Sequence, residues 1–260
     1  MKLKANIKSL SISSLLLLPT FAMAQSEVIV FVGGAMTKPA TEVGVIFDNK
    51  SDNTTVIESD TTGELQKRLA ATEKADLVIV TAPAMEMLEQ QNLVIASSTV
   101  DLALALIGVG IHPDGAAPDL STAETFKAAL LGARSVAYVS PAAGGTSGTY
   151  FEGLLESMGI SEVMQPKIVY QTQGSEVAQA VASGDAEFGI TFVSELKPNP
   201  GLIVAGTFPD EIQLPTIYAV SIATASKNKE DAQALLDMLA GAEGRAALVN
   251  IGLEPIAPTH

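Results

Sequence analysis

The chain has 260 residues, nearly half of them hydrophobic, with 15 basic and 29 acidic side chains, two histidines and no cysteine. The missing cysteine excludes disulfides, thiol catalysis and thiolate metal sites. A formal net charge of −14 argues against nucleic acid and anionic membrane as partners.

The first residues predict export. Lys2, Lys4 and Lys8 form a basic segment, Leu15 to Leu18 centre an apolar one, and Ala22-Met23-Ala24 fits a small-x-small cleavage site. The apolar segment is too short to span a bilayer. Residues 1–24 therefore read as a signal peptide cleaved after Ala24, with no membrane insertion once it is removed. No cysteine is present to carry a lipid, so a soluble, monomeric periplasmic protein is expected. The mature chain keeps 12 basic residues against 29 acidic ones, a net charge of −17. Any anionic ligand then has to be attracted locally, against the field of the whole molecule. About 236 mature residues allow one large domain or two lobes.

In chain order, Val28 to Val32 is a buried-strand pattern ending at Gly33-Gly34, and Thr41 to Phe47 is a helix. Thr54 to Glu58 is a strand, followed by Asp60-Thr-Thr-Gly63 and a helix over Glu64 to Thr72. Ala75 to Val80 is a third strand, leading through Thr81-Ala-Pro-Ala84 into a helix around Met85 to Gln90. Strands joined by helices in this order predict a parallel α/β sheet. Leu102 to Ile111 is a longer apolar β run and a natural crossing between lobes.

Beyond it come a helix (Thr122 to Leu131), a strand (Val136 to Val139), a helix (Thr149 to Met158) and a strand (Lys167 to Gln171). A helix over Glu176 to Ser183, a strand over Phe188 to Val193 and a short extended segment over Leu202 to Ala205 follow. Thr216 to Thr224 is a second long β run and a natural return crossing; Lys229 to Ala240 and Gly244 to Val249 are helical. Two crossings predict a hinged pair of α/β lobes with a ligand cleft between them, residues 25–104 and 217–260 forming one lobe and 105–216 the other.

The stretch Pro141 to Leu155 carries the most information. A buried strand ending at Val139 runs into small and hydroxyl residues without charge, and then into an apolar helical pattern. A strand, a Gly/Ser/Thr turn and a helix aim unpaired backbone N–H groups and the positive end of a helix dipole at one point, where an anion is favoured. The alternative is a tight turn shaped by Gly144, Gly145 and Gly148 and capped by Thr146 or Ser147.

The chain is similar to periplasmic solute-binding proteins, and more narrowly resembles the molybdate-binding-like family. The resemblance is carried by Gly33-Gly-Ala-Met-Thr37, Asp60-Thr-Thr-Gly63 with Glu64 to Leu69, and Lys74-Ala-Asp-Leu-Val-Ile79 in the first lobe. In the second it is carried by Gly144 to Tyr150, Ala182-Ser-Gly-Asp-Ala-Glu-Phe-Gly189 and Thr207-Phe-Pro209. It covers essentially the whole mature chain and implies a two-lobe type II periplasmic binding fold, capture of a small anion and delivery to an ABC permease.

In that family an oxyanion is held by hydroxyls and backbone N–H groups without a counter-charge. The resemblance places the first-lobe contacts at Ala35, Met36 and Thr37 and at Thr61 or Thr62. The second-lobe contacts fall near Thr146, Ser147, Gly148, Gln173 and Gly174, and a tyrosine position falls on Phe192. Ala35 and Phe192 lack the expected hydroxyls. Each missing hydrogen bond to an anion is worth roughly 1.5–3 kcal/mol, which points away from molybdate and toward a carboxylate. Lys38 and Tyr150 are further ligand candidates, whereas Lys67 and Arg68 read as solvent-facing.

An enzyme, aconitate isomerase, is similar to this family and supplies the alternative: a cofactor-free allylic proton shift between cis- and trans-aconitate. Its base is sought among Lys38, Tyr150 and Glu195. A third reading is a sensor subunit acting on a membrane kinase. With His112 in a loop and His260 at the C-terminus as the only histidines, neither a metal nor a cofactor is expected.

Overall fold

The computed structural model describes residues 26–257; the predicted leader, its cleavage site and His260 lie outside them. Strand β1 (Glu27–Gly33) leads through a 3-10 turn over Gly34–Met36 into helix α1 (Thr37–Lys50). Then come β2 (Thr54–Asp60), α2 (Thr62–Ala70), β3 (Leu77–Thr81) and α3 (Ala82–Gln90). Strands β4 (Val100–Ala105) and β5 (Ile107–Ile111) follow almost without a break.

The middle of the chain forms α4 (Ala123–Gly132), β6 (Val136–Val139), α5 (Thr146–Ser157), α6 (Ser161–Met164) and β7 (Ile168–Gln171). It continues with α7 (Gly174–Ala182), β8 (Phe188–Phe192), α8 (Val193–Leu196) and β9 (Ile203–Thr207). The last elements are β10 (Thr216–Ile222), α9 (Lys229–Ala240), α10 (Ala242–Asn250) and β11 (Glu254–Pro255).

The strands form two sheets, one ordered β11-β4-β10-β3-β1-β2 and the other β7-β6-β8-β5-β9. Helix–strand alternation predicts parallel sheets, yet both are mixed. β1 is parallel to β2 and β3, and β6 is parallel to β7 and β8. β10 runs antiparallel to β3 and β4, and β5 antiparallel to β8 and β9. The short β11 is also antiparallel to β4, while β10 and β5 are the strands that arrive from the other sheet. β10 and β5 need no crossover helix, so nothing forces them parallel.

The crossings are also shorter than the apolar runs suggest. The run Leu102 to Ile111 breaks at Leu106, whose carbonyl accepts from the Val193 N–H at 3.0 Å, so its two halves belong to different sheets. The return passes through residues 208–215, and Thr216–Ile222 already lies within the six-stranded sheet. Gln213 ties the two passages together. Its Oε1 accepts from the Ile107 N–H at 3.0 Å and its Nε2 donates to the Ile107 carbonyl at 2.9 Å.

Each sheet is covered on both faces, which explains why its central strands are apolar throughout rather than alternating. Val28, Val30 and Val32 point toward α1, α9 and α10, while Phe31 packs with Leu65, Met85 and Leu88 under α2 and α3. In the second sheet Tyr138 meets Phe151 edge to face at 5.0 Å, and Phe126 meets Phe208 at 4.7 Å. Ala137 and Val139 face Val177 and Val181 of α7. Burying each large apolar side chain contributes about 1.5–3 kcal/mol.

Helices that reach the cleft begin earlier than their apolar periodicity predicts: α1 at Thr37 rather than Thr41, α5 at Thr146 rather than Thr149, α7 at Gly174 rather than Glu176. Pro39 is tolerated because it lies in the first turn of α1, where no intrahelical N–H bond is lost. The early turns are built of small and polar residues because they face a cavity and not the core.

Candidate functional site

A cavity of about 250 Å³ lies between the two sheets, and the first turns of four helices reach it. α1 brings Thr37 and Lys38, α2 brings Thr61 and Thr62, α5 brings Thr146 and Ser147, and α7 brings Gly174 and Ser175. The first N–H groups of a helix have no intrahelical acceptor and carry the positive end of its dipole. At α1 and α5 no side chain caps these groups and no acidic residue sits in the first turn. At α2 and α7 part of the demand is met internally: Thr61 Oγ1 accepts from the Glu64 N–H, and Gln173 with Glu176 forms a capping box.

The cavity is shut by direct contact between the halves. Thr61 Oγ1 donates to the Ala143 carbonyl at 2.5 Å, and the Gly63 N–H donates to the Gly144 carbonyl at 3.2 Å. Gly144 has φ +75° and a Cβ there would lie 2.9 Å from the Gly63 Cα, so conformation and space both require glycine.

Glu195, on α8, contributes a carboxyl to the cavity wall. The carboxyl occupies space left by two glycines, one from each half. A Cβ on Gly34 would fall 2.3 Å from Oε1, and one on Gly174 would fall 2.2 Å from Oε2. Thr191 Oγ1 donates to Glu195 Oε2 at 2.5 Å, and the hydroxyls of Thr191 and Ser147 are 3.2 Å apart. Loss of solvation pushes the Glu195 carboxyl up to about 7, against the opposing pull of hydrogen bonds from Thr191 and Phe192.

Tyr218 of β10 closes the opposite wall. Its ring meets Phe192 edge to face at 5.8 Å, and its hydroxyl is hydrogen-bonded to the Thr62 side chain. Burial, reinforced by the charge of Glu195, holds the phenol well above its usual range, so it is neutral and able to donate. Ser194 also lines the cavity; its hydroxyl is buried and has no hydrogen-bond partner among the described residues. Orphaned hydroxyls of this kind are uncommon in native interiors. On the first-sheet side the hydroxyls of Thr37 and Ser59 share a hydrogen bond at 2.5 Å.

The charges are sparse. Lys38 is exposed and 3.7 Å from Glu42, while Asp60 lines the cavity and accepts from the Thr61 N–H. An anion placed here would meet dipoles and hydroxyls and few cations.

The sequence-predicted residues divide in two. Thr37, Lys38, Thr61, Thr62, Thr146, Ser147, Gln173, Gly174, Phe192 and Glu195 line the cavity. Ala35, Met36, Gly148 and Tyr150 do not. Ala35 and Met36 are buried in the apolar core, and Gly148 is pressed against the Val139 carbonyl, where a Cβ would approach to 1.7 Å. Tyr150 donates its hydroxyl to the Ile212 carbonyl at 2.9 Å, fixing α5 to the segment before β10. Lys67 pairs with Glu64 at 3.1 Å, and Arg68 lies 4.3 Å over the Phe31 ring between Glu58 and Glu73. His112 Nδ1 accepts from the Asp114 N–H within its loop. Tyr218, Ser194 and Ser59 are additions. Tyr218 is concealed inside an apolar β run, and only its strand-end position beside a crossing marks it.

Known proteins agree with this architecture. The profile of the family described as "Bacterial extracellular solute-binding protein" matches residues 28–254. A Pseudomonas sp protein named aconitate isomerase is 33% identical over 198 residues, covering 76% of this chain and 74% of that protein. The periplasmic molybdate-binding protein of Azotobacter vinelandii superposes with a TM-score of 0.70 at 17% identity, covering 89% of this chain and 100% of that chain. The periplasmic binding protein AfuA of Actinobacillus pleuropneumoniae, with fructose-6-phosphate bound, gives 0.67 at 15% identity, covering 88% and 83%. Two mixed α/β sheets enclosing a cleft are thus the type II periplasmic binding fold, and the chain belongs to the bacterial extracellular solute-binding protein family.

Proposed function

We propose that this chain is an exported, monomeric binding protein that captures a small carboxylate between two lobes, residues 25–104 with 217–260 and residues 105–216, and presents it to an ABC-type permease in the periplasm. The observation that carries this reading is the convergence of four helix N-termini on one cavity, whose lining also includes Ser194 with its unpartnered hydroxyl. Closure through Thr61–Ala143 and Gly63–Gly144 supplies the bound shape that a permease would recognise. A carboxylate suits the site better than a tetrahedral oxyanion. Ala35 is buried in the core and Phe192 offers only a ring, so two donors are missing, each worth roughly 1.5–3 kcal/mol toward an anion.

A second reading has a specific observation behind it. Glu195 places a carboxyl of raised proton affinity inside the cavity, and the 33% identical relative is named aconitate isomerase. In that reaction ionised Glu195 would take a proton from the allylic carbon. The electron pair would spread into a dienolate held by the helix N–H groups, and the same proton would return at the far end of the allylic system. Atoms and charge balance without a cofactor.

Calorimetry on the mature protein with molybdate, tungstate, sulfate, citrate, cis-aconitate and trans-aconitate separates these readings. Heats from carboxylates and none from the metal oxyanions are the expected result; the reverse pattern sinks the carboxylate assignment. Proton NMR of the cis-aconitate sample then detects any conversion to trans, and loss of that conversion in Glu195→Gln moves the assignment to the isomerase.

A further inference from the structure

The Glu195 carboxyl stands in the wall of a cavity whose other polar groups favour an anion. A carboxylate at that place repels the ligand those dipoles attract. Hydrogen bonds from Thr191 and Phe192 favour the ionised form, but among the described residues no cation lies against the carboxyl. Of the elements packed against α8, β5, β8, β9 and the Gly34–Met36 turn carry no titratable side chain. On α7 the nearest acid, Glu176, is held by Thr172. Across the cavity stand the Tyr218 phenol, Asp60 and Lys38, the last exposed and beside Glu42, and Lys197 follows α8 on the exposed surface.

Geometry shows how the repulsion is relieved. One carboxyl oxygen of Glu195 already accepts from Thr191 at 2.5 Å, while the other lies between Gly34 of the opposite half and Gly174. A proton on the carboxyl converts it from an acceptor into an O–H donor beside the ligand. We propose that anion capture by this protein is coupled to the capture of one proton, which resides on Glu195 and is donated in a hydrogen bond to the bound anion. This inference rests on the anion reading of the cavity. It makes Glu195 a specificity-determining residue: the site prefers acceptors strong enough to use an O–H donor, and it binds them more tightly as pH falls.

The test is titration calorimetry of the mature protein with trans-aconitate, whose carboxyls stay ionised, between pH 6 and 9. Each titration is run in two cationic buffers of different ionisation heat. The proposal predicts uptake of close to one proton per anion bound at pH 8 to 9, falling toward zero at pH 6. Affinity should be level at the acid end and decline toward tenfold per pH unit above about pH 7.5. Glu195→Gln, which keeps a donor in the same place, should bind with no proton uptake and a flat pH profile. Anion binding by the wild type with no proton uptake at pH 8 to 9 overturns the proposal while leaving the binding reading intact. Absence of binding by every anion in the panel removes both. The wild-type proton count decides the matter by itself should the variant not fold.

Discussion

The Thr61 hydroxyl serves two masters: it accepts from the Glu64 N–H at the head of α2 and donates to the Ala143 carbonyl of the other half at 2.5 Å. Folding of one helix end and closure of the cleft are therefore joined at a single side chain. Thr61→Val keeps the shape and removes both bonds. Loss of the cap costs about 0.5–2 kcal/mol, read as a lower urea midpoint. Loss of the contact between halves should leave the unliganded protein more open, seen as a larger radius of gyration in solution scattering, with affinity several-fold weaker. An unchanged radius and affinity would show that the Gly63–Gly144 bond suffices for closure.

The raised proton affinity of Glu195 is also a statement about stability. In the unfolded chain a glutamate titrates near 4.3, whereas in the fold this one titrates at about 7. Between these values the folded protein binds more protons than the unfolded one, so stability is fullest below about pH 4 and is lost as pH rises through 7. The difference corresponds to about 4 kcal/mol at most. Urea unfolding at pH 5 and pH 8 should show the wild type losing stability relative to Glu195→Gln. A constant gap between the two proteins across that range contradicts the assignment.

Much of this arrangement could be read in the chain itself, and the failures have a common cause. Hydrophobic periodicity located the strands and helix bodies, because each buries a face against a sheet. It placed helix starts too late at Thr37, Thr146 and Gly174, since a first turn that faces a cavity buries no apolar stripe. The same turns supply most of the site. The Gly/Ser/Thr turn pointed to Thr146 and Ser147 and the family resemblance to Thr61 and Thr62, but neither distinguishes a residue on the cavity wall from one turned toward the core. Ala35, Met36, Gly148 and Tyr150 fall on that side of the division. Tyr218 lay concealed in an apolar β run and Ser194 in the short α8, and only the packing of the two halves brings both to one cavity.

Tyr150 and Tyr218 provide a paired control for that division. Tyr150→Phe removes only the bond to the Ile212 carbonyl, so stability should fall by about 1 kcal/mol with ligand affinity unchanged. Tyr218→Phe keeps the edge-to-face contact with Phe192 and removes a hydroxyl from the cavity wall. Affinity for trans-aconitate should drop about fivefold or more, the equivalent of one hydrogen bond. Calorimetry on both variants checks the assignment. Equal losses of affinity would mean that Tyr150 reaches the ligand through α5 after all.

Ser194 yields the most discriminating outcome, because stability and binding should move in opposite directions. Its hydroxyl is buried and has no partner among the described residues, so the fold bears an uncompensated desolvation cost there. Ser194→Ala removes that cost while changing the packing very little. The unliganded variant should be as stable as the wild type or more so, by up to about 1 kcal/mol. If the hydroxyl is there to meet a ligand, the same change weakens anion binding several-fold. Thermal melts recorded with and without saturating trans-aconitate measure both quantities in one experiment. A variant that loses stability and keeps full affinity would place the Ser194 hydroxyl in the service of the fold and not of the ligand.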